Sequence, residues 1–223
     1  MVKRKLAHFA ENLTFKHLFQ LPFPEINTGF PLKGAWNSRY FENDHPLTLE
    51  LGCGKGEYTV NLAMLHPERN FIGMDIKGAR IWKGCKMVQE LGLKNVAFIR
   101  SKVEYIEFFF AANEVDEIWL TFPDPFPIHK RSHKRLTSPE FLQRYRNIMK
   151  HQGIIHLKTD NTGLYNYTLR VIQDYGHHLL FASDDIYNLE EPHEATAIQT
   201  FYEAIYRKKG IPIKYTEFRL NDD

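Results

Sequence analysis

Residues 48–57 read TLELGCGKGE: a short apolar run, a turn of alternating glycines, and a carboxylate where a helix should begin. Residues 48–51 predict a strand. Gly52, Gly54 and Gly56 predict a tight turn, because glycine enters conformations closed to other residues. A helix is expected through about Leu65. Strand, glycine turn and helix together present backbone N–H groups to a ligand.

The same rhythm continues along the chain. NFIGMD (70–75), VAFIR (96–100), VDEIWLTF (115–122) and GIIHLKT (153–159) read as four further strands. Between them, Ile81, Cys85, Val88 and Leu91 recur at helical spacing, and a short helix is expected near 103–110. Ser138 followed by Pro139 opens another, on which Phe141, Leu142, Tyr145, Ile148 and Met149 share a face. Asn161 or Thr162 opens the last, with Leu164, Thr168, Val171 and Tyr175 aligned. This alternation implies an α/β, Rossmann-like fold: a mostly parallel sheet with helices on both faces. After residue 176 the pattern changes. HHLLFAS (177–183) and TFYEAIYRKK (200–209) read as two strands, expected as an antiparallel pair at the C-terminal edge. Prolines at 22, 24, 31 and 46 mark residues 1–45 as an N-terminal basic extension, expected to be partly mobile, ahead of one domain over 46–223.

The totals set limits on function. A chain of 223 residues with 43% hydrophobic and 25% charged residues suits one soluble domain with a full core. No apolar run approaches the ~20 residues that span a bilayer, so no membrane association is expected. The opening MVKRKLAHFAENLTF lacks the apolar stretch of a secretory signal. Cys53 and Cys85 stand outside any CxxC or Cys/His cluster, so no metal site is expected, and a reducing cytoplasm fits best. The net charge of +2 is small but clustered. Lys3, Arg4 and Lys5 form one basic group, residues 129–135 a second, and Arg207, Lys208 and Lys209 a third.

The glycine turn excludes the common nucleotide motifs. A dinucleotide fingerprint requires G-x-G-x-x-G, but the final glycine position holds Glu57 or Thr59, depending on the starting glycine. No GK[ST] Walker loop is present. An acid two residues ahead of the turn suits S-adenosylmethionine, which carries a sulfonium, an amino group and a carboxylate but no phosphate. Glu50 would attract the cationic part, directly or through water. Asp75 ends the second strand of the 48–75 unit, where a carboxylate can accept hydrogen bonds from ribose hydroxyls.

Residues 119–136, WLTFPDPFPIHKRSHKRL, place one acid, Asp124, between prolines and follow it with a burst of base. The acid reads as part of a reaction centre and the basic loop as a grip on a polyanion. LELGCGKGEY, the FPDP turn with its basic follow-on, HLKTDN (156–161) and TFYE (200–203) together resemble the bacterial tRNA (guanine-N7)-methyltransferases over about residues 50–207. The resemblance implies transfer of a methyl group from S-adenosylmethionine to a guanine in the tRNA variable loop. It implies that Glu50, Gly52, Gly54, Asp75 and Asp124 hold the donor, that Asp124 also serves the reaction, and that Asp160, Thr200 and Glu203 contact the nucleotide. Where the family has a lysine this chain has Ile128, so Lys130 or Arg131 is expected to replace that contact, with Lys134, Arg135 and residues 3–5 as further phosphate grips. Where the family has an acid or amide after the third strand, this chain has Arg100, Ser101 and Lys102. Asp160 reads equally as a helix cap, and Thr200 and Glu203 would face opposite ways in a strand. The expected partner is tRNA, and the expected assembly a monomer or homodimer. The alternatives are an amino-methyltransferase on another nucleobase, which would carry a second proline after Asp124-Pro125, and a non-catalytic RNA-binding protein of the same fold.

Overall fold

The computed structural model describes residues 2–21 and 29–221, with side chains from residue 6 onward. Helix α1 (Val2–Asn12) and strand β1 (Leu18–Phe19) come first, then β2 (Leu47–Leu51), α2 (Glu57–Leu65), β3 (Asn70–Asp75), α3 (Gly78–Leu91) and β4 (Val96–Arg100). There follow α4 (Ile106–Phe109), β5 (Val115–Thr121), α5 (Pro139–Arg146), β6 (Met149–Thr159), α6 (Thr162–Asp174), β7 (His178–Ser183), α7 (Phe201–Lys208) and β8 (Lys214–Arg219). The strands form one sheet in the order β1-β4-β3-β2-β5-β6-β8-β7. β1 to β6 pair in parallel, and β8 runs antiparallel to both β6 and β7.

Both faces of the sheet are covered, so its central strands are apolar on both sides. Successive residues alternate between two cores. Ile72, Ile99, Ile118 and Leu157 pack with α5 and α6, whereas Phe71, Phe98, Trp119 and Tyr215 pack with α2 and α3. The close seat of α2 on the sheet depends on Gly73: a Cβ there would stand 2.6 Å from Phe98 and 2.7 Å from Thr59 Oγ1. Among the described residues, no helix is long and apolar enough to cross a membrane.

Two expectations are corrected. The stretch before residue 46 is not separate from the core. Phe30, Trp36 and Phe41 are buried in it, the Trp36 indole donates to the Phe109 carbonyl at 3.1 Å, and β1 adds a parallel edge to β4. Helix α1 lies on α3, where Glu11 accepts from the Trp82 indole at 2.6 Å and pairs with Lys86 at 2.8 Å. Prolines mark turns, but the aromatic residues between them decide what is buried. The second correction concerns residues 200–209, which form helix α7 rather than a strand. Thr200 and Glu203 are a reciprocal capping box, a strong helix start, and Phe201/Ile205 and Tyr202/Tyr206 repeat at four-residue spacing. The antiparallel edge pair does exist, but β8 is its second member.

Trp36→Ala should therefore cost about 3–5 kcal/mol in urea unfolding, the loss expected of a large buried aromatic. A change below about 0.5 kcal/mol, typical of surface positions, would show that residues 29–41 lie outside the cooperative unit.

Candidate active site

The sheet order reverses at β2, which lies between β3 and β5, and ligands of open α/β sheets bind in the crevice at such a reversal. The turns after β2, β3, β4 and β5 all reach that edge. A cavity of about 320 Å³ there is lined by Gly52, Asp75, Ser101, Lys102, Asp124, Phe126 and Lys134, among others. A smaller one of about 100 Å³ is lined by Glu50, Cys53, Gly54, Lys55, Thr121, Thr200 and Tyr202, among others. Gly52, Arg80 and Phe122 line both, so the two are parts of one cleft.

Glu50 is sealed beneath the glycine turn, at 3% exposure. One carboxylate oxygen accepts the Thr59 N–H at 2.8 Å and the Thr59 hydroxyl, and the other accepts the Thr121 hydroxyl. The side chain thus ties β2 to the first turn of α2 and to the end of β5. An open acceptor for a cation was expected; the geometry instead gives a brace between β2, α2 and β5. Burial pushes its pKa up to about 7, against the threonine hydrogen bonds, which favour the charged form. Cys53, beside it, is a free thiol whose pKa burial also raises, so it is a poor nucleophile.

Asp75 reaches the cleft as expected. Its two oxygens accept backbone N–H groups, from Gly54 at 2.9 Å and Lys77 at 2.7 Å. Each keeps a second lone pair for a hydroxyl. Gly52 has φ +77, and an added Cβ would meet nothing nearer than Leu136 at 3.8 Å, so it would project into the cleft. Arg100 has turned away, stacking on Phe9 and donating to Gln20 at 3.2 Å, which leaves Ser101 and Lys102 on the cavity wall.

Asp124 is exposed and has no hydrogen-bond or ion-pair partner among the described residues. Its turn is held at both ends. The Phe122 N–H donates to the Lys158 carbonyl at 2.8 Å, and Arg135 donates to the carbonyls of Pro125 and Phe126, both at 3.0 Å. Phe122 and Phe126 have φ of +49 and +39, values rare for residues with a Cβ and concentrated at functional sites. Arg135, whose guanidinium also lies 4.2 Å from the Tyr167 ring centroid, is a strut for this turn and not one of the free cations it was read as. Lys130 and Arg131 are exposed on a 3₁₀ turn, His129–Lys134, and Lys134 lines the cavity. The side chains of residues 3–5 lie outside the described residues.

The remaining expected residues divide. Asp160 follows β6 at the same sheet edge, but Asn161 is the cap of α6, accepting the Leu164 N–H at 2.8 Å. Thr200 lines the smaller cavity, and its hydroxyl caps α7. Glu203 is fully buried, with Lys158 Nζ 2.6 Å away, so it offers no surface to a nucleotide. The sequence reading missed Thr59, Thr121 and Lys158, whose roles depend on partners distant in the chain. The Thr200-x-x-Glu203 spacing could have revealed the capping box.

A family model described as "Putative methyltransferase" matches residues 44–216. A tRNA (guanine-N(7)-)-methyltransferase of Christiangramia forsetii is 53% identical over 220 residues, covering 98% of this chain and 98% of that one. One from Bacteroides thetaiotaomicron is 46% identical over 221 residues, covering 99% of this chain and 87% of that one. Among solved structures, the 16S rRNA methyltransferase KamB shares the fold with a TM-score of 0.63 at 14% identity, over 82% of this chain and 92% of that one. An antibiotic-related methyltransferase gives 0.60 at 16% identity, over 81% and 90%. The sheet is thus that of the class I S-adenosylmethionine-dependent methyltransferases.

The buried Glu50 makes stability depend on pH. The unfolded carboxyl ionises near 4.5 and the folded one near 7. Between those values the unfolded chain binds fewer protons, so this contribution to stability is full below pH 4.5, falls as pH rises through 7, and is constant above. Relative to Glu50→Gln, the wild type should lose about 3–4 kcal/mol across the window, at ~1.4 kcal/mol per pKa unit. Urea titrations at a series of pH values check this, and parallel stability curves for the two proteins would refute it.

Proposed function

The chain belongs to the tRNA (guanine-N(7)-)-methyltransferase family, and on that premise we propose that it methylates N7 of a guanine in the tRNA variable loop with S-adenosylmethionine as donor. The observation that carries this reading is the unpartnered Asp124, which shares one cleft with Gly52 and Asp75 and stands beside a loop of exposed cations.

The residues of the cleft fit the donor. Asp75 has free lone pairs for the ribose, and Ile76 and Val103 supply apolar wall for the purine. Gly52 keeps the centre of the cleft open. The Glu50 brace fixes the glycine turn and, in its ionised form, contributes a negative potential towards the cationic end. When bound, the donor supplies a methyl group carried on a sulfonium.

Guanine N7 has a free lone pair and needs no deprotonation, so Asp124 need not act as a base. A carboxylate that accepts hydrogen bonds from the guanine N–H groups would hold the ring with N7 in line, at the ~3–3.5 Å of a near-attack geometry. It would also disfavour adenine, which cannot make the same bonds. As positive charge passes to the ring, the carboxylate stabilises it. The braces on both ends of the turn keep that acid in place before the base arrives. Lys130 and Arg131 would bind phosphates, which sets register without reading sequence.

Wild-type protein incubated with unmodified tRNA and labelled donor should yield 7-methylguanosine; another methylated nucleoside, or none, overturns the reading. Asp124→Asn should slow single-turnover methylation at saturating donor by about 10²-fold, the scale of one lost electrostatic contact. An unchanged rate would remove Asp124 from the reaction. Lys130→Ala with Arg131→Ala should flatten the salt dependence of tRNA binding by roughly 1.4–1.8 log units per log unit of salt. An unaltered slope would make the loop an ordinary solvated surface.

A further inference from the structure

We infer that Lys158 is a positioning residue for the reaction: its buried ion pair with Glu203 pins the first turn of α7 across the cleft. The inference rests on the tRNA-methylating reading of the same site.

Lys158 lies in β6 and its side chain is completely buried. Its ammonium contacts Glu203 Oε1 at 2.6 Å, the Ala195 carbonyl at 2.6 Å and the Ile198 carbonyl at 3.1 Å, which uses all three donors. Glu203 Oε1 also accepts the Tyr187 hydroxyl at 2.8 Å, and Oε2 accepts the Thr200 N–H at 3.2 Å. The Thr200 hydroxyl in turn accepts the Glu203 N–H at 3.3 Å. One carboxylate therefore joins β6, the 187–198 connection and the start of α7.

A buried ion pair is weak evidence for stability, since desolvation offsets much of the attraction. Its effect here is on placement. Between β7 and α7 the chain has little regular structure beyond one 3₁₀ turn, Glu194–Thr196, and Lys158 gathers its carbonyls. With α7 so held, Thr200 and Tyr202 line the smaller cavity, and Lys55 of the glycine turn lies 4.6 Å from the Phe201 ring centroid. Phe201 and Tyr202 remain 54% and 48% exposed at the cleft. The backbone of Lys158 meanwhile accepts the Phe122 N–H, the first anchor of the Asp124 turn. One residue thus sets two walls of the cleft relative to each other, and a ~1 Å misplacement in such a site can cost about 10²-fold in rate.

Compensation tests this. Lys158→Met and Glu203→Gln, made singly in the full chain, should each lower kcat/KM for tRNA by about tenfold or more, because each strands a buried polar partner. Affinity for S-adenosylmethionine, measured by calorimetry, should stay within about threefold. The double variant Lys158→Met/Glu203→Gln has no buried charge and retains the carboxamide that a capping box accepts. It should recover most of the lost activity. If Glu203 instead touches the nucleotide, the double variant will be as impaired as Glu203→Gln, and the inference falls. Should a single variant fail to fold, Tyr187→Phe decides, because it removes the hydroxyl that donates to Glu203 Oε1 and lines neither cavity of the cleft. It should lower kcat/KM for tRNA severalfold while affinity for S-adenosylmethionine holds; an unchanged kcat/KM would overturn the positioning role. A wild type that forms no 7-methylguanosine would sink the functional reading, while normal wild-type activity with no compensation would sink this inference alone.

Discussion

A carboxylate buried at the reversal of the sheet organises this molecule. Glu50 sits where β2 ends, and its two oxygens take up donors from α2 and β5. β2 and β5 are already paired as neighbouring strands, but α2 would otherwise rest on them chiefly through packing, which is tolerant of small shifts. Hydrogen bonds to a desolvated carboxylate are directional and costly to leave unmade. They therefore fix the glycine turn against the strand that leads into the Asp124 turn. Gly73 permits the arrangement by leaving room for Thr59 to reach across β3.

The acids of the site have separate tasks, decided by surroundings and not by residue type. Glu50 is enclosed with neutral hydroxyls and its pKa rises. Glu117, in the next strand, is buried as well, but the hydrogen bond and charge of His156 and the Arg69 guanidinium outweigh burial and hold it down at about 2. Asp75 supports the turn while facing the cleft. Asp124 alone among these is left exposed and unpartnered, which suits a group whose partner is the substrate. Glu203, assigned to the nucleotide by its motif, faces a lysine instead. A motif records that a residue matters; burial and partners tell how.

The cationic surface divides in the same way. Arg135 and Lys158 lie within basic or motif stretches, yet both are structural, one bracing the Asp124 turn and the other holding α7. Lys130 and Arg131 remain exposed to solvent, where phosphate contacts are made. A charge run in a sequence is thus not a patch until the partners of each member are known.

Much of the architecture was legible in the residues. The strands at 70–75 and 96–100 appear at the predicted bounds, because a buried parallel strand must be continuously apolar and turns must carry glycine or proline. The glycine turn with its two acids and the FPDP turn also gave the cleft and the donor class, since those signals are local. Residues 200–209 were misread as a strand, as their aromatic content favours strands and the capping box was overlooked. The role of residues 29–41 depended on which aromatic rings find a pocket on the sheet. The order of most elements and the two turns that meet at the cleft follow from local residue patterns, because both depend on neighbours in the chain. That Glu50 braces, that Lys158 meets Glu203 and that Asp124 has no partner among the described residues follows from the fold alone, because a side chain's charge and reach are set by atoms brought to it from far along the chain.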